Sequence, residues 1–183
     1  MKDESHREHS IQTFNKYLND TLKVQTHKLS ALGDDELLKE PYENKCIYVL
    51  RLDLEKRGNE NIRDIVNQRD KKAILYIGGH PSGKRTSRFN KLIKACRKAE
   101  RFFDRNGYSE NDVTHEHSVA NYFTTSLLQA NFRLSNCIID LVKCESDFDE
   151  LEFIIGYQEH YHHLPPWNAL RGGASAFKTQ VEK

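Results

Sequence analysis

The residues best placed for phosphate chemistry lie in one stretch, from Ala73 to Ala95, which begins apolar and becomes basic. An apolar run is followed by two glycines, after which apolar residues recur at helical spacing, and this pattern predicts a strand, a turn and a helix. The strand end and the first helical turn then lie within one loop's reach of each other. A single anionic group, most simply a phosphate, would face five side chains: Tyr76, His80, Lys84, Arg85 and Arg88.

Positive charge is concentrated in the same region of the chain. Positions 84–105 hold nine Lys or Arg and two acidic residues, whereas the whole chain of 183 residues has a formal net charge of +1. Taken alone, such a run is equally typical of a solvated helix face. Next to a phosphate-facing turn, it favours nucleic acid as the partner.

One interpretation of the turn is a nucleotide-binding P-loop. Residues 78–84 read GGHPSGK and match GxxxxGK, and Asp140 ends another apolar run, where it would help to hold magnesium. However, Arg85 stands where the motif needs a Ser or Thr hydroxyl on the metal, and a cation there repels the ion. Several parallel strands are also required, and only one convincing strand precedes residue 73. The P-loop is therefore the weaker alternative, and no nucleotide cofactor is expected.

A second interpretation uses more of the chain. Tyr48 ends the triplet CIY, Tyr76 begins YIG, Arg88 lies on the next predicted helix, Glu152 follows a third predicted strand, and Asn168 comes near the end. Over residues 45–168 these motifs resemble the GIY-YIG nuclease family, in the family's order and on the elements where the family has them. The resemblance implies a metal-dependent DNA endonuclease that hydrolyses phosphodiester bonds.

The resemblance also implies a role for each residue. Tyr48 would be the general base and Tyr76 would line the site, although the two roles are exchangeable. Arg88 would present a bidentate fork to the phosphate, and Glu152 would hold one Mg²⁺ or Mn²⁺ that keeps much of its water shell. Asn168 would join the site by hydrogen bonds. Because a free tyrosine has a pKa of about 10, the base needs nearby positive charge to lower it.

The chain departs from the family pattern in four places. Cys46 replaces the first glycine, the interval from Tyr48 to Tyr76 is longer than the usual hairpin, and Glu152 precedes Asn168 by about one extra helical turn. The family often has His or Tyr one turn after the arginine, where this chain has Leu92. A substitute for that group would come from His80 or Lys84, and contacts to DNA are expected from Lys84, Arg85, Lys91 and His80.

Double-stranded DNA is the expected partner. A restriction enzyme or a phage or mobile-element nuclease fits a chain with no recognisable zinc finger or helix-turn-helix. A restriction enzyme that reads a palindrome needs two active sites, which a homodimer would supply. The alternative function is that of a DNA-binding module without catalysis, in which the basic helix contacts successive phosphates and the tyrosines are structural.

The pattern of apolar residues predicts an α+β fold with a small antiparallel sheet of about three strands flanked by helices. The strands are expected at 45–52, 73–77 and 136–144, inside a nuclease domain at 45–170. Before this domain we expect a helical N-terminal extension over 1–44, with helices at 7–24 and near 34–39. Residues 118–134 are ambiguous between helix and strand, 146–164 predict a helix, and 171–183 predict a flexible tail.

The mean hydropathy is −0.77, and no apolar run is long enough to cross a bilayer. The first ten residues are charged and lack the apolar core of a secretory signal. The four cysteines show no CxxC pair, and three of them lie in apolar runs. A cytoplasmic protein with reduced thiols is therefore expected, with no membrane association.

Overall fold

The structure, a computed structural model, describes residues 2–32, 46–53, 55, 69–79, 88–107, 118–143 and 150–169. The four strands are β1 (Val24–Lys28), β2 (Cys46–Leu52), β3 (Ile74–Gly79) and β4 (Cys137–Lys143). The helices are α1 (Lys2–Leu18), α2 (Arg88–Asn106), α3 (Ser118–Tyr122), α4 (Glu150–Tyr161) and α5 (Pro166–Ala169). A π-helix, Phe123–Leu128, continues α3, and short 3-10 turns occupy Leu29–Ala31 and Leu134–Asn136. No helix in these ranges is long and apolar enough to span a membrane.

The described strands form one antiparallel sheet in the order β1-β4-β2-β3. The α+β class is confirmed, and the described sheet has four strands where about three were predicted. The additional strand comes from the segment predicted to be a helical extension, in which α1 ends at Leu18 and β1 pairs with β4 from Val24 to Lys28. β1 reads VQTHK and has no fully buried residue, so it becomes a strand by pairing with β4.

The sheet buries a separate apolar cluster on each face. On the first, called here the α2 face, strand side chains pack against α2, the π-helix and α5; its members include Tyr48, Leu50, Tyr76, Phe89, Leu92, Ile93, Phe123, Leu127 and Trp167. On the second, called the α4 face, strand side chains pack against α1 and α4; its members include Phe14, Tyr17, Ile47, Val49, Ile77, Phe153 and Tyr157. The N-terminal helix is thus part of the core.

Two further segments bear on the sequence predictions. The ambiguous region after residue 118 is helical: the Thr124 and Thr125 hydroxyls donate to the carbonyls of Ala120 and Asn121, four residues earlier, which satisfies these β-branched polar residues within a helix. The predicted short helix at 34–39 and the predicted tail at 171–183 lie outside the described residues.

A buried carboxylate, Asp140, joins the sheet to the N-terminal segment on the α4 face. The Arg51 guanidinium donates to it from β2 at 2.7 and 3.3 Å, and the hydroxyls of Tyr17 on α1 and Thr26 on β1 each donate at 2.7 Å. Only 2% of the Asp140 surface is exposed, so these partners compensate a charge that would otherwise be very costly to bury. The ion pair and the antiparallel strands both differ from what the P-loop alternative requires.

Alkaline pH should weaken the fold through Tyr17. Burial, followed by the charge of Asp140 and the hydrogen bond to it, raises the pKa of Tyr17 well above its usual value. The unfolded chain releases this proton near pH 10, so the stabilisation is fully present below about pH 10 and is lost above it. We expect the free energy of unfolding of Tyr17→Phe to fall less steeply from pH 10 to 11, by up to about 1.4 kcal/mol per pH unit.

The measurement is denaturant unfolding at a series of pH values. Buried Cys96, whose pKa burial raises to about 12, also contributes to the alkaline slope, but equally in both proteins. Identical slopes for the wild type and Tyr17→Phe would contradict the assignment, whatever the difference in stability at pH 8.

Candidate active site

β3 carries one of the two site tyrosines, and its start is fixed by a buried carboxylate. Asp70 is fully buried; its side chain accepts hydrogen bonds from the Lys72 and Ile74 backbone N–H groups at 2.8 and 2.7 Å and from the Tyr161 hydroxyl at 3.2 Å. Ala73, between them, has a left-handed φ of 53°. This turn sets the point at which the chain enters the sheet, and α4 contributes to it through Tyr161.

The outer edge of β3 is held by Asn168. Its Oδ1 accepts a hydrogen bond from Ile77 N at 2.9 Å and its Nδ2 donates to Ile77 O at 2.8 Å. One side chain therefore pairs with both backbone groups of a residue that lies between Tyr76 and Gly78. Asn168, whose role in joining the site stays a prediction, contacts the backbone of the YIG triplet through its side-chain amide.

The two tyrosines lie side by side on the α2 face. Their ring centroids are 6.1 Å apart, and the Tyr48 ring is 5.3 Å from that of Phe89 on α2. A Cβ at Gly78 would lie 2.6 Å from the Tyr48 hydroxyl oxygen, so the ring occupies space that only glycine leaves open. Both hydroxyl oxygens are shielded from solvent. The glycine of YIG is therefore required by the contact with Tyr48.

A carboxylate from the first turn of α4 reaches the end of β3, and it belongs to Glu150. Glu150 Oε2 accepts the Gly79 N–H at 2.9 Å, and a Cβ at Gly79 would lie 3.0 Å from the Glu150 Cβ. Since neighbouring residues of a strand point to opposite faces, Gly78 is covered by Tyr48 on one face and Gly79 by Glu150 on the other. With no side chain at either glycine, Tyr48 and Glu150 both reach the backbone of β3, from opposite faces of the sheet.

Glu152, the carboxylate singled out by the resemblance, is directed elsewhere. At 3.6 residues per turn it lies about 200° around the helix axis from Glu150, on the same flank as Gly156 and Glu159. That flank packs on α1: a Cβ at Gly156 would lie 2.5 Å from the Phe14 Cβ, and Glu159 forms a 2.7 Å ion pair with Arg7. Glu152 is half-buried on the α1 side of α4.

The remaining predicted site residues surround the start of α2. Arg88 is the first residue of that helix, and the structure describes its backbone only. Lys91, one turn later, is exposed. His80, Lys84 and Arg85 lie outside the described residues. The start of α2 is nevertheless next to the tyrosines, because Phe89 packs on Tyr48.

Comparisons with protein-family models, curated proteins and solved structures give no match to this chain. The resemblance to a nuclease family therefore rests on the sequence motifs alone.

Sequence reasoning missed two residues, Glu150 and Asp70. Glu150 belongs to the run DELE, whose two glutamates both lie in the first turn of α4. The choice between them depends on how α4 is rotated against β3, which the packing of Gly156 on α1 determines. Asp70 stands in a charged run, RDKK, where nothing indicates that one of the four residues is fully buried.

Removing the Asn168 amide should free the backbone of Ile77. In Asn168→Ala both hydrogen bonds to Ile77 are lost, at a cost of about 1–3 kcal/mol for buried polar groups left without a partner. We expect the Ile77 amide to exchange with deuterium roughly 10- to 100-fold faster by NMR, as a local opening of that size permits. Asn136→Ala is the control, because Asn136 makes the same type of side-chain bond to a different backbone N–H, that of Arg133. An unchanged Ile77 amide in Asn168→Ala would contradict the contact.

Proposed function

We propose that this protein is a metal-dependent DNA endonuclease of the GIY-YIG type, acting in the cytoplasm. The observation that carries the proposal is the convergence of three separate parts of the chain on the last four residues of β3. Tyr48 covers Gly78, Asn168 pairs with Ile77, and the first turn of α4 bonds to Gly79. Tyr76 lies within the same four residues. Tyr48, Tyr76 and Asn168 are positions that the resemblance names, whereas the carboxylate that α4 contributes is that of Glu150 and not of Glu152.

Phosphodiester hydrolysis needs a base for the attacking water and positive charge for the phosphoryl oxygens. In this proposal one of the paired tyrosines takes the proton from water, and the other orients the water or the phosphate. Arg88, at the start of the helix that packs on Tyr48, presents its guanidinium to the phosphate. A buried phenolate is costly without a neighbouring cation, so Arg88 is also needed to stabilise the base.

A divalent ion would be held by a carboxylate of α4. Glu150 takes this role in place of Glu152, because it is the glutamate whose side chain contacts the end of β3. Among the described residues no group of three or more metal-ligating side chains lies together. One carboxylate oxygen suits Mg²⁺ or Mn²⁺, hard ions that keep several waters and take further oxygens from a phosphate. Held by Glu150, such an ion would supply charge stabilisation at the phosphoryl oxygens and would lower the pKa of a bound water.

Double-stranded DNA is the proposed substrate. Exposed Lys91 lies one turn beyond Arg88 and would contact the backbone next to the cleaved bond, together with His80, Lys84 and Arg85. A role in restriction, or as a phage or mobile-element nuclease, is part of the proposal. So is a homodimer that cuts both strands of a palindromic site.

The second candidate is a DNA-binding module without catalysis. The burial of both tyrosine hydroxyls favours it, because buried tyrosines are also typical of a structural core. The two candidates differ in one measurable property, cleavage of DNA in the presence of Mg²⁺.

Two single substitutions test both the activity and the carboxylate assignment. Glu150→Gln keeps an acceptor for the Gly79 N–H but removes the charge, and we expect it to lower the cleavage rate by about 10²-fold or more, the range for losing one electrostatic contributor. Glu152→Gln makes the same chemical change two residues away on another side of α4, and we expect a much smaller loss. Cleavage of a random duplex library with Mg²⁺, scored by sequencing the cut ends, measures both variants.

Each outcome has a distinct meaning. If Glu152→Gln is the inactive variant and Glu150→Gln retains its rate, the assignment of the ion to Glu150 is wrong, although the nuclease proposal survives. If the wild type binds DNA but cuts none of the library with Mg²⁺ or Mn²⁺, the nuclease proposal fails and the binding module is left.

A further inference from the structure

The exposed face of α2 carries an unusual distribution of charge. Five cations recur at alternating intervals of three and four residues: Lys91, Lys94, Lys98, Arg101 and Arg105. At 100° per residue they fall within an arc of about 80° on the helix surface. All five are exposed, and the arc is opposite the buried side of the helix, formed by Phe89, Leu92, Ile93, Cys96 and Ala99. These five residues are called here the α2 stripe.

The acidic residues of α2 do not neutralise the stripe. Glu100 accepts a hydrogen bond from Leu134 N at 2.7 Å, and Asp104 forms a 3.4 Å ion pair with Arg133, so both are turned toward the segment before β4. Arg133 is itself held over the Phe103 ring at 5.3 Å. Among the described residues, no stripe residue forms an ion pair. The face is therefore uniformly positive and open to solvent.

The dimensions of the stripe suit a duplex. From Lys91 to Arg105 it covers 14 residue steps, or about 21 Å at 1.5 Å per residue. Phosphates along one strand of B-DNA follow each other at about 3.4 Å along the axis, so the stripe is as long as about six base-pair steps. The opposite side of α2 is packed in the core, so the helix is already ordered. It can present five cations to that length of DNA backbone without the entropy cost of ordering a loop. Lys91 is also only one turn from Arg88, which places one end of the stripe at the candidate active site.

We propose that the α2 stripe is a docking surface for the phosphate backbone of double-stranded DNA, extending away from the active site along the substrate. It contacts phosphates and no base edges, so it contributes affinity and orientation without sequence preference. This inference rests on the proposed function for the identity of the nucleic acid. It adds that the duplex is held over about half a helical turn on one side of the cleaved bond.

The test compares two sets of five substitutions. In the stripe variant, Lys91, Lys94, Lys98, Arg101 and Arg105 are changed to Gln. In the matched control, five exposed lysines outside α2 are changed to Gln: Lys16, Lys23, Lys28, Lys71 and Lys143. Both variants lose the same charge, and exposed substitutions of this kind leave folding nearly unchanged, which thermal unfolding verifies.

Binding is measured by fluorescence anisotropy of a labelled duplex in EDTA, which removes divalent ions and prevents cleavage, over a range of KCl concentrations. Each lost phosphate contact reduces the slope of log K against log[salt] by about 0.9, so the stripe variant should lose a slope of about 3–4.5. We expect the control to lose less than about 1. Equal losses in the two variants would overturn the proposal, because they would show binding by net charge alone. Tighter binding to a single strand of the same sequence would overturn the duplex as the occupant.

Cleavage separates this proposal from the proposed function. A wild type that binds duplex DNA through the stripe but never cuts it leaves the docking surface intact and refutes the nuclease. A wild type that cuts DNA, with a stripe variant that binds and cuts as well as the control, supports the nuclease and refutes the docking surface.

Discussion

A carboxylate buried at the centre of an apolar sheet has to be compensated, and Asp140 is the point on which the arrangement of the other elements depends. Its partners come from β2, β1 and α1, so the charge is satisfied only when all three are in place. β1 has little apolar surface with which to fix its own position. The hydrogen bond from Thr26 and the pairing with β4 compensate for this. The N-terminal segment is thus attached to the central strands of the sheet by one buried charge as well as by hydrophobic packing.

The candidate site depends on a different constraint, the absence of two side chains. Gly78 and Gly79 leave room for Tyr48 on one face of β3 and for Glu150 on the other, so side chains on both faces of the sheet approach the end of the same strand. A side chain at either position would separate them. The packing of Gly156 against α1 determines the rotation of α4, and this rotation decides which glutamate reaches the strand. The N-terminal helix therefore influences the site without contributing a residue to it.

The sequence was most informative where apolar residues alone determine structure. The strand before the glycines and the helix from Arg88 follow from an unbroken apolar run and a helical repeat, and Tyr48 and Tyr76 fall on adjacent strands because both strands are strongly apolar. The predicted break at Gly78 and Gly79 was wrong, because both glycines belong to β3. β1 could not be foreseen, since VQTHK has no pattern of its own and is a strand through its partner. Glu150 could not be separated from Glu152, because helix rotation is a tertiary property. Asp140 was recognised as a candidate magnesium ligand, but its pairing with Arg51 links residues too far apart in the chain for local pattern to reveal.

The side-chain amide of Asn168 also affects how the protein can associate with other copies of itself. β3 lies at the edge of the sheet that the described strands form. Ile77 is opposite Val49 on its inner side, and its backbone N–H and C=O face outward to Asn168. An exposed strand edge is a template on which another chain can add a strand, which leads to aggregation. The Asn168 side chain hydrogen-bonds to both of these groups, so it takes the place that a neighbouring strand would have at Ile77. The same side chain that contacts the YIG triplet would therefore block the addition of another strand at Ile77.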